Sequence, residues 1–168
     1  MSVVTVTLSP ATTDDVAGIT ALRAAVAERL THDFGDGHWS SPGTEASVVR
    51  DLKTPGLMVV RQNRDVLATL KLQTKKPWAI DPAYFTPARR PLYLTSMAVA
   101  PALQRTGIGR ACMEQAARIA REWPADAIRL DAYGAVAGAG GFYAKCGYRE
   151  MGRVVYRTVP LIYYELVL

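Results

Sequence analysis

The fold is decided by Gln104-Arg105-Thr106-Gly107-Ile108-Gly109-Arg110, which directly follows the apolar run Tyr93-Leu94-Thr95-Ser96-Met97-Ala98-Val99. The apolar run predicts a strand, and the two glycines predict a short loop that leads into a helix. Glycine lets the backbone approach a ligand closely and adopt dihedral angles closed to other residues. Because a helix begins with unpaired N–H groups and a partial positive charge, this junction is suited to an anion such as a pyrophosphate.

Three glycine-rich loops bind phosphates, and two of them do not fit this chain. A Walker loop needs Gly, four residues and then Gly-Lys-Ser/Thr, which the sequence lacks. A dinucleotide fingerprint needs a third glycine three residues after Gly109, where Cys112 stands. The pattern that remains is Gln-x-x-Gly-x-Gly after a strand. An ordinary connection between a strand and a helix is the alternative interpretation.

A second motif follows the glycine loop. A helix predicted from Ile108 to Trp123 is closed by Pro124, and a strand follows at Ile128–Tyr133. After a run of small residues the chain reads Phe142-Tyr143-Ala144-Lys145-Cys146-Gly147-Tyr148. The two motifs, in this order and spacing, resemble those of the GCN5-related N-acetyltransferase (GNAT) family, and the resemblance is firm over residues 92–168.

The remaining patterns predict alternating strands and helices. One helix is expected after a cap at Thr12 or Thr13, with apolar residues at helical spacing from Val16 to Leu30. A second is expected to start at Thr44 or a neighbouring serine and to run to about Lys53. Strands are expected in Met1–Leu8, Leu57–Arg61, Val66–Leu72, Leu92–Val99, Val154–Thr158 and Leu161–Val167, with a break at Pro160. Two segments, Thr31–Gly43 and the proline-rich Gln73–Pro91, fit no regular element.

This order of elements is that of the acyl-CoA N-acyltransferase fold. The resemblance therefore implies an α/β (mixed) protein with a central, twisted, mostly antiparallel mixed sheet of about six to seven strands and about four helices. The length of 168 residues predicts a single domain over residues 1–168. Apolar residues make up 49% and charged residues 21%, the balance of a soluble protein, and no run is long enough to span a bilayer.

Composition also narrows the compartment and the cofactor. The N-terminus has no basic region typical of a signal peptide, so we expect a cytoplasmic protein without a membrane partner. The two cysteines, Cys112 and Cys146, form no Cys-x-x-Cys pair and lie far in sequence from both histidines, so no metal site is expected. The net charge of +5 suits an anionic ligand such as coenzyme A, whereas the scattered basic residues make nucleic acid an unlikely partner.

The resemblance assigns acetyl-CoA binding mainly to backbone groups. The pantetheine arm would run beside Met97, Ala98 and Val99, and the pyrophosphate would lie on the loop formed by Gln104, Arg105, Thr106, Gly107, Ile108, Gly109 and Arg110. The N–H of Met97 or of Ala98 could also hold the oxyanion. Tyr143 occupies the position of the family's tyrosine, which contacts the cofactor and protonates the leaving thiolate. A tyrosine that only packs in the core is the alternative.

The sequence does not identify the general base. Many relatives place a glutamate in the fourth strand, but Tyr93–Met97 contains no carboxylate. A chain of water molecules, Asp131 or His38 could serve instead. The period of two in a strand puts Asp131 on the same face as Arg129, so an ion pair between these two side chains is the competing interpretation.

The acceptor implied by the resemblance is a primary amine of a small molecule or a protein, attacked directly in a ternary complex. Aromatic side chains that could bind a cationic amine are Trp39, Trp78, Tyr84, Phe85 and Tyr133. Either Asp36 or Asp81 could hold its ammonium group, although the aromatic residues could equally serve only to pack their own loops. A non-catalytic acyl-CoA-binding sensor or scaffold is the alternative function, and the predicted C-terminal strand pair could support a homodimer.

Overall fold

The computed structural model describes residues 5–168, and the order of its elements confirms the predicted one. The elements are β1 (Ser9–Pro10), α1 (Val16–Phe34), α2 (Glu45–Leu52), β2 (Leu57–Gln62), β3 (Asp65–Gln73), β4 (Pro91–Val99), α3 (Ile108–Glu122), β5 (Ala127–Tyr133), α4 (Gly140–Lys145), β6 (Arg149–Tyr156) and β7 (Val159–Val167). No helix in this part of the chain is both long and apolar enough to cross a membrane.

The strands form one mixed sheet of seven strands in the order β1-β2-β3-β4-β5-β7-β6. The pairs β1–β2, β2–β3, β5–β7 and β6–β7 are antiparallel. Strands β4 and β5 are parallel, with Pro91–Tyr93 opposite Ala127–Arg129. The predicted mostly antiparallel sheet with four helices is therefore confirmed.

The chain divides into two compact units. The first contains the chain up to Leu72 together with Ser96–Ala116. Its core is the cluster of Ile19, Val48, Leu57 and Val59. A side-chain cap begins α2, where the hydroxyl oxygen of Thr44 accepts from the N–H of Ser47 at 3.2 Å.

The second unit contains Gln73–Thr95 and Ala117–Leu168. Its long segment between β3 and β4 has no regular structure apart from one 3-10 turn, as predicted. The segment is held down by its own buried side chains, since Ile80 and Phe85 pack with Tyr93 and Tyr163 in one core cluster. The rest of the unit is built on the antiparallel strands β5, β7 and β6.

Three predicted boundaries need correction. Helix α1 continues to Phe34, although a loop was predicted from Thr31. An ion pair between the side chains of Arg29 and Asp33, 2.8 Å apart, supports this last turn. The Thr31 hydroxyl also donates to Ala27 O at 2.8 Å. The first strand was predicted at Met1–Leu8, of which residues 1–4 lie outside the described part. Residues 5–8 are not in a strand, and β1 is formed by Ser9 and Pro10 instead.

The third correction concerns the C-terminal hairpin. Strand β6 begins at Arg149, and Pro160 lies inside β7 rather than at a break. The turn is instead made by Arg157 and Thr158, with φ of 47° and 70°. Proline fits near the start of a strand because its missing N–H is tolerated there, and the Pro160 carbonyl accepts from the N–H of Gly134 at 2.8 Å.

A buried ion pair fastens the long segment of the second unit to the sheet. Arg129 Nε donates to Glu165 Oε2 at 3.1 Å, and the side chains are 5% and 1% exposed. Arg129 Nη2 also donates to Thr86 O at 2.6 Å, while Glu165 Oε1 accepts from the N–H of Thr86 at 3.3 Å. The guanidinium lies 5.0 Å above the ring of Phe85. The Arg129–Glu165 pair thus binds both the N–H and the carbonyl oxygen of Thr86.

Glu165→Gln is expected to lower the free energy of unfolding by about 3–5 kcal/mol, because it leaves Arg129 charged and buried without its anion. Denaturant unfolding measures this change. The matched control is Glu150→Gln, which breaks an exposed pair with Arg153 at 2.7 Å and should cost less than about 1 kcal/mol. Equal effects of the two substitutions would contradict the structural role given to Glu165.

Candidate active site

The glycine loop of the first unit has the backbone geometry that an anion site needs. Gly107 has φ of +93°, and Arg105 has φ of +63°. The N–H of Ala111 donates to Gly107 O at 3.0 Å, which is the first helical hydrogen bond of α3. The N–H groups of the residues just before Ala111 therefore have no acceptor within the helix. A Cβ added to Gly107 would meet no heavy atom within 4 Å, so this side of the loop is open.

Two side chains hold the loop in shape rather than pointing out of it. The Gln104 amide donates to Val99 O at 3.1 Å, which ties the loop to the last residue of β4. The Thr106 hydroxyl donates to Leu103 O at 2.5 Å. Ile108 is buried and anchors the start of α3, whereas Arg105 and Arg110 are exposed and can add positive charge at the loop.

Strand β4 carries an irregularity that the sequence did not predict. Ser96 has φ of +54°, a left-handed conformation inside an otherwise extended strand. Serine is not among the residues that favour this region, so no local signal pointed to it. The next residues are Met97, Ala98 and Val99, of which Ala98 is buried. An irregularity of this kind breaks the regular pairing of a strand and redirects the backbone groups that follow.

Tyr143 lies on α4 in the second unit and is 7% exposed. Its ring packs against those of Phe142, Tyr148 and Tyr164, with centroids 5.3, 6.1 and 6.0 Å away. Burial raises the pKa of Tyr143 well above its usual value, and the charges of Asp131 and Cys146 raise it further. The phenol therefore keeps its proton at neutral pH, the form in which it can donate a hydrogen bond.

Asp131 does not form the ion pair with Arg129 that was considered from the sequence, because Arg129 pairs with Glu165. In residues 5–168 no basic side chain forms an ion pair with Asp131. Burial raises the pKa of Asp131 above its ordinary value. Its charge also raises the pKa of Tyr133 and Tyr143. A half-buried carboxylate without an ion-pair partner is more basic than a fully solvated one, which suits a proton acceptor.

The aromatic residues predicted for the acceptor lie in different places. Trp78 and Tyr84 line one cavity in the second unit, together with Asp81. Tyr133 is half-buried at the end of β5. Trp39 belongs to the first unit, where its indole N–H donates to Gly35 O at 2.9 Å, and Asp36 and His38 are exposed in the same segment. Phe85 is buried in the core and does not line the cavity.

Two cavity residues, Tyr156 and Tyr163, were missed from the sequence. Both lie on strands whose apolar alternation predicts only a packed face. Within the described residues, no cluster of three or more His, Cys, Asp or Glu side chains could hold a metal ion.

The sheet and the glycine loop at the start of α3 are features of an acyltransferase class of fold. A family model described as the acetyltransferase (GNAT) family matches residues 23–148. This match covers well over half of the chain, so the protein belongs to the GNAT acetyltransferase family. No curated protein matches the chain in sequence.

Solved structures share the fold at low sequence identity. A GCN5-related N-acetyltransferase from Rhodopseudomonas palustris has a TM-score of 0.72 and 21% identity, covering 100% of this chain and 99% of its own. A ribosomal-protein-alanine N-acetyltransferase from Brucella melitensis has a TM-score of 0.69 and 17% identity, with coverage of 96% and 99%. The Escherichia coli ribosomal-protein-S18-alanine N-acetyltransferase has a TM-score of 0.67 and 18% identity, covering 96% of this chain and 92% of its own.

Proposed function

We propose that this chain, acting as one domain, is an acetyl-CoA-dependent N-acetyltransferase that acetylates a primary amine of a small molecule or a protein. The observation that carries the proposal is the loop at Gly107, whose positive φ and open side leave the first N–H groups of α3 accessible. Membership of the GNAT acetyltransferase family supports the same cofactor.

The cofactor would be held by backbone groups. Loop residues Gln104 to Arg110 would bind the pyrophosphate through N–H groups and the charges of Arg105 and Arg110. The pantetheine arm would pair with the backbone of Met97, Ala98 and Val99. The N–H of Met97 would hold the oxyanion, and a preorganised donor of this kind contributes about 3–4 kcal/mol to the transition state.

Acetyl transfer would proceed by direct attack in a ternary complex. The neutral amine nitrogen forms a bond to the thioester carbonyl carbon, and Asp131 takes the excess proton from that nitrogen, directly or through water. The C–S bond then breaks, and Tyr143 donates its hydroxyl proton to the departing sulfur. The unpaired state of Asp131 and the protonated state of Tyr143 suit these two roles.

Tyr143→Phe is expected to lower kcat by about 10²-fold, at the low end of general-acid effects, because a phenol with a raised pKa gives up its proton reluctantly. Steady-state kinetics measures the loss. The matched control is Tyr148→Phe on the neighbouring ring, whose hydroxyl is buried and has no hydrogen-bond partner in the described structure. That variant should retain activity. Equal losses in both variants would mean that Tyr143 serves only in packing.

The function itself is tested by thiol release. Purified protein is mixed with acetyl-CoA and a panel of primary amines, and free coenzyme A thiol is followed with a chromogenic disulfide. Amine-dependent release supports the transferase. Calorimetric binding of acetyl-CoA without release for any amine would favour the non-catalytic sensor, and absence of binding by the folded protein would reject both.

A further inference from the structure

A cavity of about 410 Å³ in the second unit is lined by nine of the described residues, four of which are aromatic. Its walls include Trp78, Tyr84, Tyr156 and Tyr163, and Asp81 is the one acidic residue among them. Trp78 is 84% exposed although it is a tryptophan, and Val155 in the same wall is 74% exposed. Exposed large apolar side chains gathered around one concave site indicate a ligand.

The walls are held in place by contacts of their own. The Tyr163 hydroxyl donates to Ala79 O and accepts from the N–H of Asp81 at 3.1 Å. The rings of Tyr84 and Tyr163 meet edge to face, with centroids 5.4 Å apart and planes at 76°. A Cβ on Gly152 would lie 2.4 Å from Tyr84 Cδ1, so the absence of a side chain there makes room for the Tyr84 ring. These contacts fix the positions of Tyr84 and Tyr163 in the cavity wall.

Asp81 is the one charged residue among the described residues that line the cavity. Asp81 Oδ1 accepts from the N–H of Ala83 at 2.9 Å, and Asp81 forms no ion pair in the described part of the chain. The ammonium of Lys76 donates instead to the carbonyls of Pro77 and Ile80. One ring already contacts a cation, since the Arg157 guanidinium lies 5.3 Å from the Tyr156 centroid.

We propose that this cavity binds an organic cation, an ammonium group carried on an apolar skeleton. Aromatic faces attract a cation through their quadrupole and cover its apolar substituents. A single carboxylate at the wall supplies the compensating charge that a partly desolvated cation needs.

The cavity also narrows the class of acceptor, an extension that rests on the proposed acetyltransferase function. Asp131 and Tyr163 are directly opposite each other on β5 and β7, a pairing that places Cβ atoms about 5 Å apart. One wall of the cavity therefore adjoins the proposed base. Aromatic rings and a carboxylate favour the charged form of an amine, whereas the nitrogen that attacks the thioester must be neutral. The cation in the cavity is thus a second nitrogen, and the acceptor is a diamine.

The first test measures binding without acetyl transfer. Choline and its neutral isostere 3,3-dimethylbutan-1-ol are titrated into the full-length protein and followed by calorimetry. We expect choline to bind about 10-fold more tightly, within the range of a partly desolvated cation–π site. Trp78→Ala and Asp81→Asn, both at exposed positions, should reduce that preference. Gly152→Val, which displaces the Tyr84 ring, should do the same without altering either residue.

Equal affinity for the two probes, or a preference that survives all three substitutions, would overturn the cation site. The second test compares kcat/KM for a series of α,ω-diamines with that for monoamines of the same length. We expect diamines to be preferred and Asp81→Asn to lower the ratio. Acetylation of amines without a diamine preference would refute the acceptor class alone. Choline binding in a protein that acetylates no amine would instead refute the proposed function and leave the cation site standing.

Discussion

Asp131→Asn is expected to slow acetyl transfer by about 10²–10⁴-fold, the usual contribution of a general base, and at the same time to raise the melting temperature. The two effects have one cause. Burial raises the pKa of Asp131 because the folded protein disfavours its charge. At neutral pH the ionised carboxylate therefore costs stability, and asparagine removes that cost together with the base.

The pH dependence follows from the same shift. Since the folded-state pKa lies above the unfolded value of 3.8, the cost to stability is absent below 3.8 and is fully present above the folded pKa. Activity has the opposite pH dependence and rises with pH, because the base accepts a proton only when it is ionised. The wild-type kcat/KM should therefore fall as the pH drops through the raised pKa of Asp131, and the variant should lose this acidic limb.

Asp126→Asn is the matched control for this experiment. Burial acts to raise the pKa of Asp126, but hydrogen bonds from the N–H groups of Arg89 and Arg90 lower it overall. The same substitution should therefore reduce stability at this position and leave the acidic limb in place. If Asp131→Asn kept wild-type turnover and pH profile, the base would have to be another group, with His38 or a chain of water molecules as the remaining alternatives.

Gly107→Val should weaken acetyl-CoA binding by at least about 100-fold, or about 2.7 kcal/mol. The substitution has two separate physical effects. A β-branched residue at φ of +93° is strained, which typically costs about 1–3 kcal/mol of folding stability. The loss of affinity comes from the new side chain, which projects into the open side of the loop where the pyrophosphate would approach the helix N-terminus. Calorimetric titration with acetyl-CoA measures the loss.

Gly147 offers a control with the same backbone strain. Its φ is +90°, and a Cβ there also meets no heavy atom within 4 Å. Gly147→Val should therefore cost a similar amount of folding stability while leaving the affinity for acetyl-CoA near that of the wild type. A parallel loss of affinity in both variants would show that destabilisation, and not the loop, accounts for the effect of Gly107→Val.

Features that depend on short stretches of sequence were predicted correctly. The caps at Thr12 and Thr44, the hairpin of β2 and β3 and the start of α3 at Ile108 each depend on residues only a few positions apart. The order of elements follows from these local signals, and with it the fold. The roles of Gly107 and Tyr143 come from motifs equally compact, and they stay predictions until cofactor binding and turnover are measured.

The missed features depend on partners that are distant in sequence. Pro160 lies within β7 because β6 pairs with it through Val155, which outweighs the usual tendency of proline to end a strand. The left-handed Ser96 in β4 has no sequence signature of its own. A pattern of alternating residues identifies the face of a strand, but it does not identify what packs against that face.

The sequence by itself determined the family motifs, the succession of strands and helices and the glycine that an anion loop requires, since backbone conformation and capping act over a few residues. Only the tertiary structure decided that Arg129 pairs with Glu165 and leaves Asp131 half-buried without an ion-pair partner in residues 5–168. It alone brought Trp78 and Asp81 together with Tyr156 and Tyr163 around one cavity. Charge pairing and burial depend on distance in space, and folding joins residues about 80 positions apart, such as Asp81 and Tyr163.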